Sequence, residues 1–170
     1  RTLAWFDGGS EFGPRALGHR SILADPRRPD LRDHINANVK FREDFRPFAP
    51  SVLAEDAQDY FELSGASPYM LFVVPVRPAW RERLGAVVHV DGTARVQTVR
   101  REENARFHAL LTAFKRRTSI GMLLNTSLNR RGEPLVETPT EALTLLRETG
   151  LHGLVIGPYL ITKPDGGAAG

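Results

Sequence analysis

The stretch Ile120-Gly-Met-Leu-Leu-Asn-Thr-Ser-Leu-Asn129, followed by Thr138-Pro-Thr-Glu-Ala-Leu-Thr-Leu-Leu146, decides the fold. Residues 120–124 form a short apolar run bounded by small polar residues, which reads as a buried strand. Thr138 with Glu141 three positions on is a capping box, and Pro139 occupies the first helical position. Gly150 ends that helix. Leu154-Val155-Ile156 and Tyr159-Leu160-Ile161 then read as two closing strands.

Working outward, Leu3-Ala4-Trp5-Phe6 is a strand running into a turn at Asp7-Gly8-Gly9. Residues 7–28 are rich in glycine and arginine. Asp30 stands where it can cap a helix in which Leu31, Ile35 and Val39 recur every four residues. Pro47 and Pro50 make residues 45–51 extended, and a short helix is expected over 55–61. Residues 70–76 are a continuous apolar run of strand length. Ala86-Val-Val-His-Val90 and Ala94-Arg-Val-Gln-Thr-Val99 flank Asp91-Gly92, a hairpin signal. Phe107, Leu110, Leu111 and Phe114 follow helical spacing over about 102–116. Strands interleave with helices, which predicts a single mixed-sheet α/β (α+β) domain with helices on its faces.

Composition narrows the function classes. The 170 residues hold no cysteine, excluding disulfide scaffolds, cysteine–zinc sites and thiol nucleophiles. No secretory signal or membrane-length apolar run is visible, so a cytoplasmic location is expected. The 23 basic and 20 acidic residues nearly balance, unlike a polybasic nucleic-acid arm. Twenty of the basic residues are arginine, and Lys40, Lys115 and Lys163 are the only lysines. An arginine-favouring genome accounts for most of that bias, while arginine's planar fork also suits phosphate and carboxylate. Composition alone does not choose between these readings. The chain begins at Arg1 inside structured-looking sequence, and residues 164–170 are poor in apolar groups. The expectation is a C-terminal portion of a larger protein, residues 1–163, with a disordered tail at 164–170.

Four segments carry candidate chemistry. In residues 8–21, glycines free backbone amides to approach an anion, with Arg15 and Arg20 placed to grip its oxygens. His19-Arg20 stands where a phosphate loop needs Lys-Ser/Thr, so a Walker-type site is not indicated. In residues 40–50, Lys40, Arg42 and Arg46 converge on one face if the segment is extended; Glu43, Asp44 and solvent are the ordinary means of neutralising them. Asn125-Thr126-Ser127 ends a strand, where open α/β sheets place ligand contacts, though these residues also make ordinary turns. Arg95 follows the Asp91-Gly92 turn, either directed into a site or paired across strands. His89 and Asp91 share one side of a strand, but the turn explains Asp91 better than a metal does.

In this order the segments resemble the C-terminal domain of the O-carbamoyltransferase family, whose members modify antibiotics, nodulation factors and related natural products. The matching blocks are EFGPRALGHRSILADPR (11–27), FREDFRPFAPSVL (41–53), HVDGTARVQTV (89–99) and LLNTSLNRRGEPLVETPTEAL (123–143). That domain is itself similar to the YrdC-like fold, a twisted mixed sheet flanked by helices. Lys40-x-Arg42 and Ser127-x-Asn129 echo its pattern, and the Ser-Ala-Asn triplet of YrdC proteins stands here as Ser127-Leu128-Asn129.

The resemblance implies formation of carbamoyl-adenylate from carbamoyl phosphate and ATP, with Mg²⁺ accompanying the nucleotide and no metal ligands identified in this chain. A separate Kae1-like N-terminal domain, iron-bearing in the family, then passes the carbamoyl group to a hydroxyl. By resemblance, Arg15, Lys40 and Arg46 are the catalytic candidates. Arg95 and Ser127, then Arg20, Arg42 and Asn125, complete the substrate and nucleotide contacts. Two other readings are an RNA-binding YrdC-like module, against which the near-neutral charge counts, and an inactive structural lobe.

Overall fold

Both faces of the inner strands are covered, and the alternation of side chains shows how. The computed structural model describes residues 1–43 and 46–163; Asp44, Phe45 and the tail expected at 164–170 lie outside the described residues. The chain runs β1 (Leu3–Phe6), β2 (Arg20–Ala24), α1 (Pro29–Ile35), β3 (Ala49–Leu53), α2 (Ala57–Tyr60), β4 (Val73–Pro75) and α3 (Pro78–Arg81). It continues through β5 (Thr93–Arg95), β6 (Gln97–Val99), α4 (Ala105–Thr118), β7 (Met122–Ser127), α5 (Pro139–Glu148), β8 (Gly153–Ile156) and β9 (Tyr159–Thr162).

Seven strands make one sheet in the order β6-β3-β7-β2-β1-β8-β9. The β3–β6 and β1–β8 pairs are parallel and the others antiparallel. Because successive strand residues face opposite sides, Ile22 and Ala24 enter one core with Leu124, Leu154, Ile35 of α1 and Leu145 of α5. Leu23, between them, enters the other with Trp5, Leu53, Leu123 and Phe107 and Leu111 of α4. Each fully buried side chain of this size contributes about 2 kcal/mol. The result is the mixed α/β domain expected. Among the described residues, no helix is long and apolar enough to cross a membrane.

Local chemistry fixes the helix ends. The Thr138 hydroxyl accepts from the Glu141 amide at 3.2 Å, and the Glu141 carboxylate accepts from the Thr138 amide at 3.1 Å, completing the capping box. Asn104 caps α4 by accepting from the Phe107 amide at 2.9 Å. Gly18 has φ +106°, and a Cβ there would lie 2.4 Å from the Phe107 ring. The loop before β2 therefore lies directly on α4.

Several expectations differ from the structure. Asp30 is not a helix cap: Arg28 holds that position, and Asp30 sits in the first turn with its carboxylate on Arg28 at 2.6 Å. Leu31, Ile35 and Val39 are buried as the spacing predicts, but the helix widens into a π-helical turn over Asn36–Lys40. Strand β2 is central to the sheet and was hidden in a segment read only as glycine- and arginine-rich. The apolar run 70–76 gives a strand only at 73–75, and Leu71, Phe72 and Val73 are exposed.

The expected hairpin does not form either. Ala86 and Val87 donate their amides to Pro26 and Leu84. The Asp91-Gly92 turn closes through His89 N–H to the Thr93 carbonyl at 2.8 Å. Beyond it the anticipated strand divides, with β5 pairing β4 and β6 pairing β3 in the main sheet.

Candidate functional site

Where β7 ends beside the start of β3, the chain leaves a cleft of about 280 Å³. Four arginines line it, reaching it from separate parts of the chain: Arg15 from the loop before β2, Arg42 and Arg46 from the segment before β3, and Arg95 from β5. Among the described residues, no carboxylate lines it. Bringing like charges together in a partly desolvated space is unfavourable unless an anion joins them.

The electrostatics reflect that crowding. Burial first, then Arg46, push the Arg42 guanidinium down to about 10, with Glu43 partly offsetting them. Arg42 is held by donation to Asn36 Oδ1 at 2.8 Å and by stacking 4.7 Å from the Phe48 ring centroid. Burial, followed by Arg15, also lowers Arg95. Among the described residues, buried Arg95 Nε has no hydrogen-bond partner. An unpaired buried guanidinium N–H at a cleft wall is a donor left for a ligand oxygen.

The end of β7 supplies the other wall, with Asn125, Thr126 and Ser127. Asn125 lies opposite Ala49 on one side and Leu23 on the other, so the neighbouring strands fix its backbone. Its amide nitrogen donates to Ala16 O at 3.1 Å and Ser51 Oγ at 2.9 Å, with Gln97 Oε1 at 3.3 Å. Gln97 in turn donates to Leu17 O at 2.9 Å, tying the arginine loop to the sheet.

Lys40 is placed behind this wall rather than on it. Its ammonium donates among Ser127 O at 2.5 Å, Ser127 Oγ at 3.1 Å, Asn129 O at 2.9 Å and Asn129 Oδ1 at 2.6 Å. The Ser127 hydroxyl donates to Asn129 Oδ1 at 2.7 Å. Burial, then Arg42, lower Lys40 to about 7. The π-helical turn ends at this lysine, and Phe41 follows at φ 48°.

Arg20 is not brought to the cleft. It is 4% exposed and donates to the carbonyls of Val136, Asp7, Gly8 and His19 at 3.0–3.2 Å, over the Phe6 ring. The loop amides that the glycines seemed to free are also engaged. Glu11 accepts from the amides of Leu17 at 2.6 Å, His19 at 2.9 Å and Arg20 at 3.2 Å. The loop thus carries its own anion there.

The sequence reading gave His89 no place in this site, yet it lines the cleft, and burial lowers its pKa. Asp91 instead accepts from the Thr93 amide at 3.0 Å and hydroxyl at 2.7 Å, closing the turn. Among the described residues, no group of three or more histidine, aspartate or glutamate side chains is placed to hold a metal ion.

Comparison with known proteins gives this geometry a setting. The family model described as Carbamoyltransferase C-terminus matches residues 1–163. Nodulation protein NolO of Bradyrhizobium diazoefficiens is 54% identical over 165 residues, 95% of this chain and 30% of the relative. Nodulation protein NolNO of Sinorhizobium fredii is 56% identical over 95% of this chain and 24% of its own length. The 3'-hydroxymethylcephem-O-carbamoyltransferase of Amycolatopsis lactamdurans is 41% identical over 98% of this chain and 31% of the relative. The chain therefore spans about a quarter to a third of these relatives.

Proposed function

The chain belongs to the carbamoyltransferase C-terminal family, and from that membership we propose that its arginine cleft binds carbamoyl phosphate and the phosphates of ATP. The reaction is formation of carbamoyl-adenylate, the activation half of an O-carbamoyl transfer. One observation supports this most directly: among the described residues, four guanidiniums and no carboxylate line the cleft, and one guanidinium carries an unpaired buried N–H. Such a surface fits two phosphate-bearing substrates better than any neutral one.

The chemistry balances as two steps. Water cleaves carbamoyl phosphate to phosphate and carbamate. A carbamate oxygen then attacks the α-phosphorus of ATP, forming the new P–O bond as pyrophosphate leaves. Negative charge gathers on the phosphoryl oxygens, so fixed donors at Arg15, Arg46 and Arg95 supply electrostatic stabilisation. Ser127, whose hydroxyl donates to Asn129 Oδ1 and accepts from Lys40, shapes the cleft wall beside the substrate, and the anionic carbamate needs no general base. Mg²⁺ would travel with the nucleotide, since no carboxylate among the described residues lines the cleft.

In this reading the acceptor, a hydroxyl of a natural product, is met by the remaining length of a protein built like the longer relatives. Calorimetric titration of the chain with carbamoyl phosphate and with a non-hydrolysable ATP analogue tests it. Both are expected to bind, and Arg46→Ala should weaken both. Absence of binding by either ligand in the parent chain would overturn the proposal.

A further inference from the structure

Among the described residues that line the cleft, Asn125 carries a buried acceptor with no partner. Asn125 is 1% exposed, and its carboxamide oxygen Oδ1 has no hydrogen-bond partner among the described residues. The orientation of the group is dictated from behind. Ala16 O and Gln97 Oε1 can only accept, and the Ser51 hydroxyl spends its proton on Gln97 Oε1 at 2.5 Å. The NH₂ of Asn125 must face these three oxygens, which leaves Oδ1 uncommitted in a side chain that lines the cleft. A buried carbonyl oxygen with no donor is costly. It is tolerable where a ligand supplies the donor.

We propose that Asn125 Oδ1 is the specificity-determining acceptor that reads the NH₂ of the carbamoyl group. The inference rests on the reading of the cleft as a carbamoyl phosphate site and deepens it. Guanidiniums donate only, so they hold phosphate oxygens and the carbamoyl C=O but have nothing to offer an N–H donor. Asn125 Oδ1 supplies that missing acceptor. Acetyl phosphate has nearly the same shape and charge, with CH₃ in place of NH₂. Bound in its place, it would leave Oδ1 buried and unpaired. A site built to hydrogen-bond a substrate N–H rejects the analogue lacking it far more strongly than a merely shaped pocket does. The Ser51–Gln97 pair acts as positioning machinery, because it sets which end of the carboxamide faces the cleft.

The test is calorimetric titration of the chain with carbamoyl phosphate, acetyl phosphate and inorganic phosphate, repeated on Asn125→Leu and on Ser51→Ala. The parent should bind carbamoyl phosphate at least about 100-fold tighter than acetyl phosphate. Asn125→Leu should bring the two within about threefold while inorganic phosphate binds as before. Ser51→Ala, which leaves Asn125 in place but loosens it, should reduce the ratio partway. Equal binding of the two acyl phosphates by the parent would overturn the role of Asn125 and leave the anion site standing. Failure of all three ligands to bind would instead overturn the site reading itself. If Asn125→Leu does not fold, the parent ratio and Ser51→Ala still decide. A ratio undiminished in Ser51→Ala then counts against the proposal.

Discussion

Lys40 Nζ lies 3.1 Å from Ser127 Oγ and 2.5 Å from the carbonyl oxygen of the same residue, joining the π-helical turn to the end of the central strand β7. A residue that the motif pattern marks as catalytic thus serves first to hold another residue in place. Its compact ammonium reaches four oxygens on Ser127 and Asn129, a geometry that the broad fork of arginine does not fit.

Lys40→Met should therefore destabilise the fold as well as impair binding. It strips donors from part-buried oxygens of Ser127 and Asn129, an expected loss of about 1–3 kcal/mol. Urea denaturation with parallel titration of carbamoyl phosphate measures both effects. Unchanged stability with abolished binding would place Lys40 on the ligand instead.

The same lysine makes stability depend on pH. Burial lowers it from 10.5 to about 7. Between those values the unfolded chain keeps a proton that the folded chain has released. Stability contributed by this group consequently rises with pH across that window, and its cost is fully present below about 7. The charge available to an anion moves the other way, so carbamoyl phosphate affinity should fall as pH rises from about 6 to about 8. Subtracting the pH profile of Lys40→Met from that of the parent isolates both trends. Parallel profiles would remove Lys40 as their source.

Arg15 and Arg95 both line the cleft, and burial first, then Arg15, lowers Arg95. An anion between them relieves that opposition. Carbamoyl phosphate at about 100 times its dissociation constant should stabilise the parent by about 2.7 kcal/mol. For Arg95→Gln, affinity should drop about 10- to 100-fold, the weight of a charged hydrogen bond, and the stabilisation at the same ligand concentration should fall to about 0.4–1.4 kcal/mol. Equal thermal shifts in parent and variant would show that the anion binds elsewhere.

Arg20→Met should behave in the opposite manner. Its guanidinium joins β2 to the carbonyls of Asp7, Gly8 and Val136 inside the fold. Removal should cost about 3 kcal/mol, read by chemical denaturation, with carbamoyl phosphate affinity of the folded protein unchanged. A tenfold affinity loss at undiminished stability would assign Arg20 to the ligand after all.

Much of the framework is legible locally. The Thr138–Glu141 capping box, the closing strands β8 and β9 and the heptad-like spacing of α4 are decided by residues a few positions apart. Strand β2 is less so, because Ser21-Ile-Leu-Ala24 is short, follows glycines and begins with an arginine that only a buried cage of carbonyls makes tolerable. The hairpin was misread for a related reason. The Asp91-Gly92 turn is local and forms, but the strands beyond it find better partners in β4 and β3.

The site divides in the same way. Sequence alone determined that this chain is a cysteine-free mixed α/β domain carrying arginines, Lys40 and a small polar strand end in its candidate segments. Only the tertiary structure decided that Arg15, Arg42, Arg46 and Arg95 share one cleft while Arg20 turns inward. It also set the direction of the Asn125 carboxamide, through Ala16, Ser51 and Gln97, which lie 109, 74 and 28 residues away along the chain. Capping and periodicity act over a few residues, so they are written in the sequence. Charge convergence and hydrogen-bond direction depend on which distant groups the packed sheet makes neighbours.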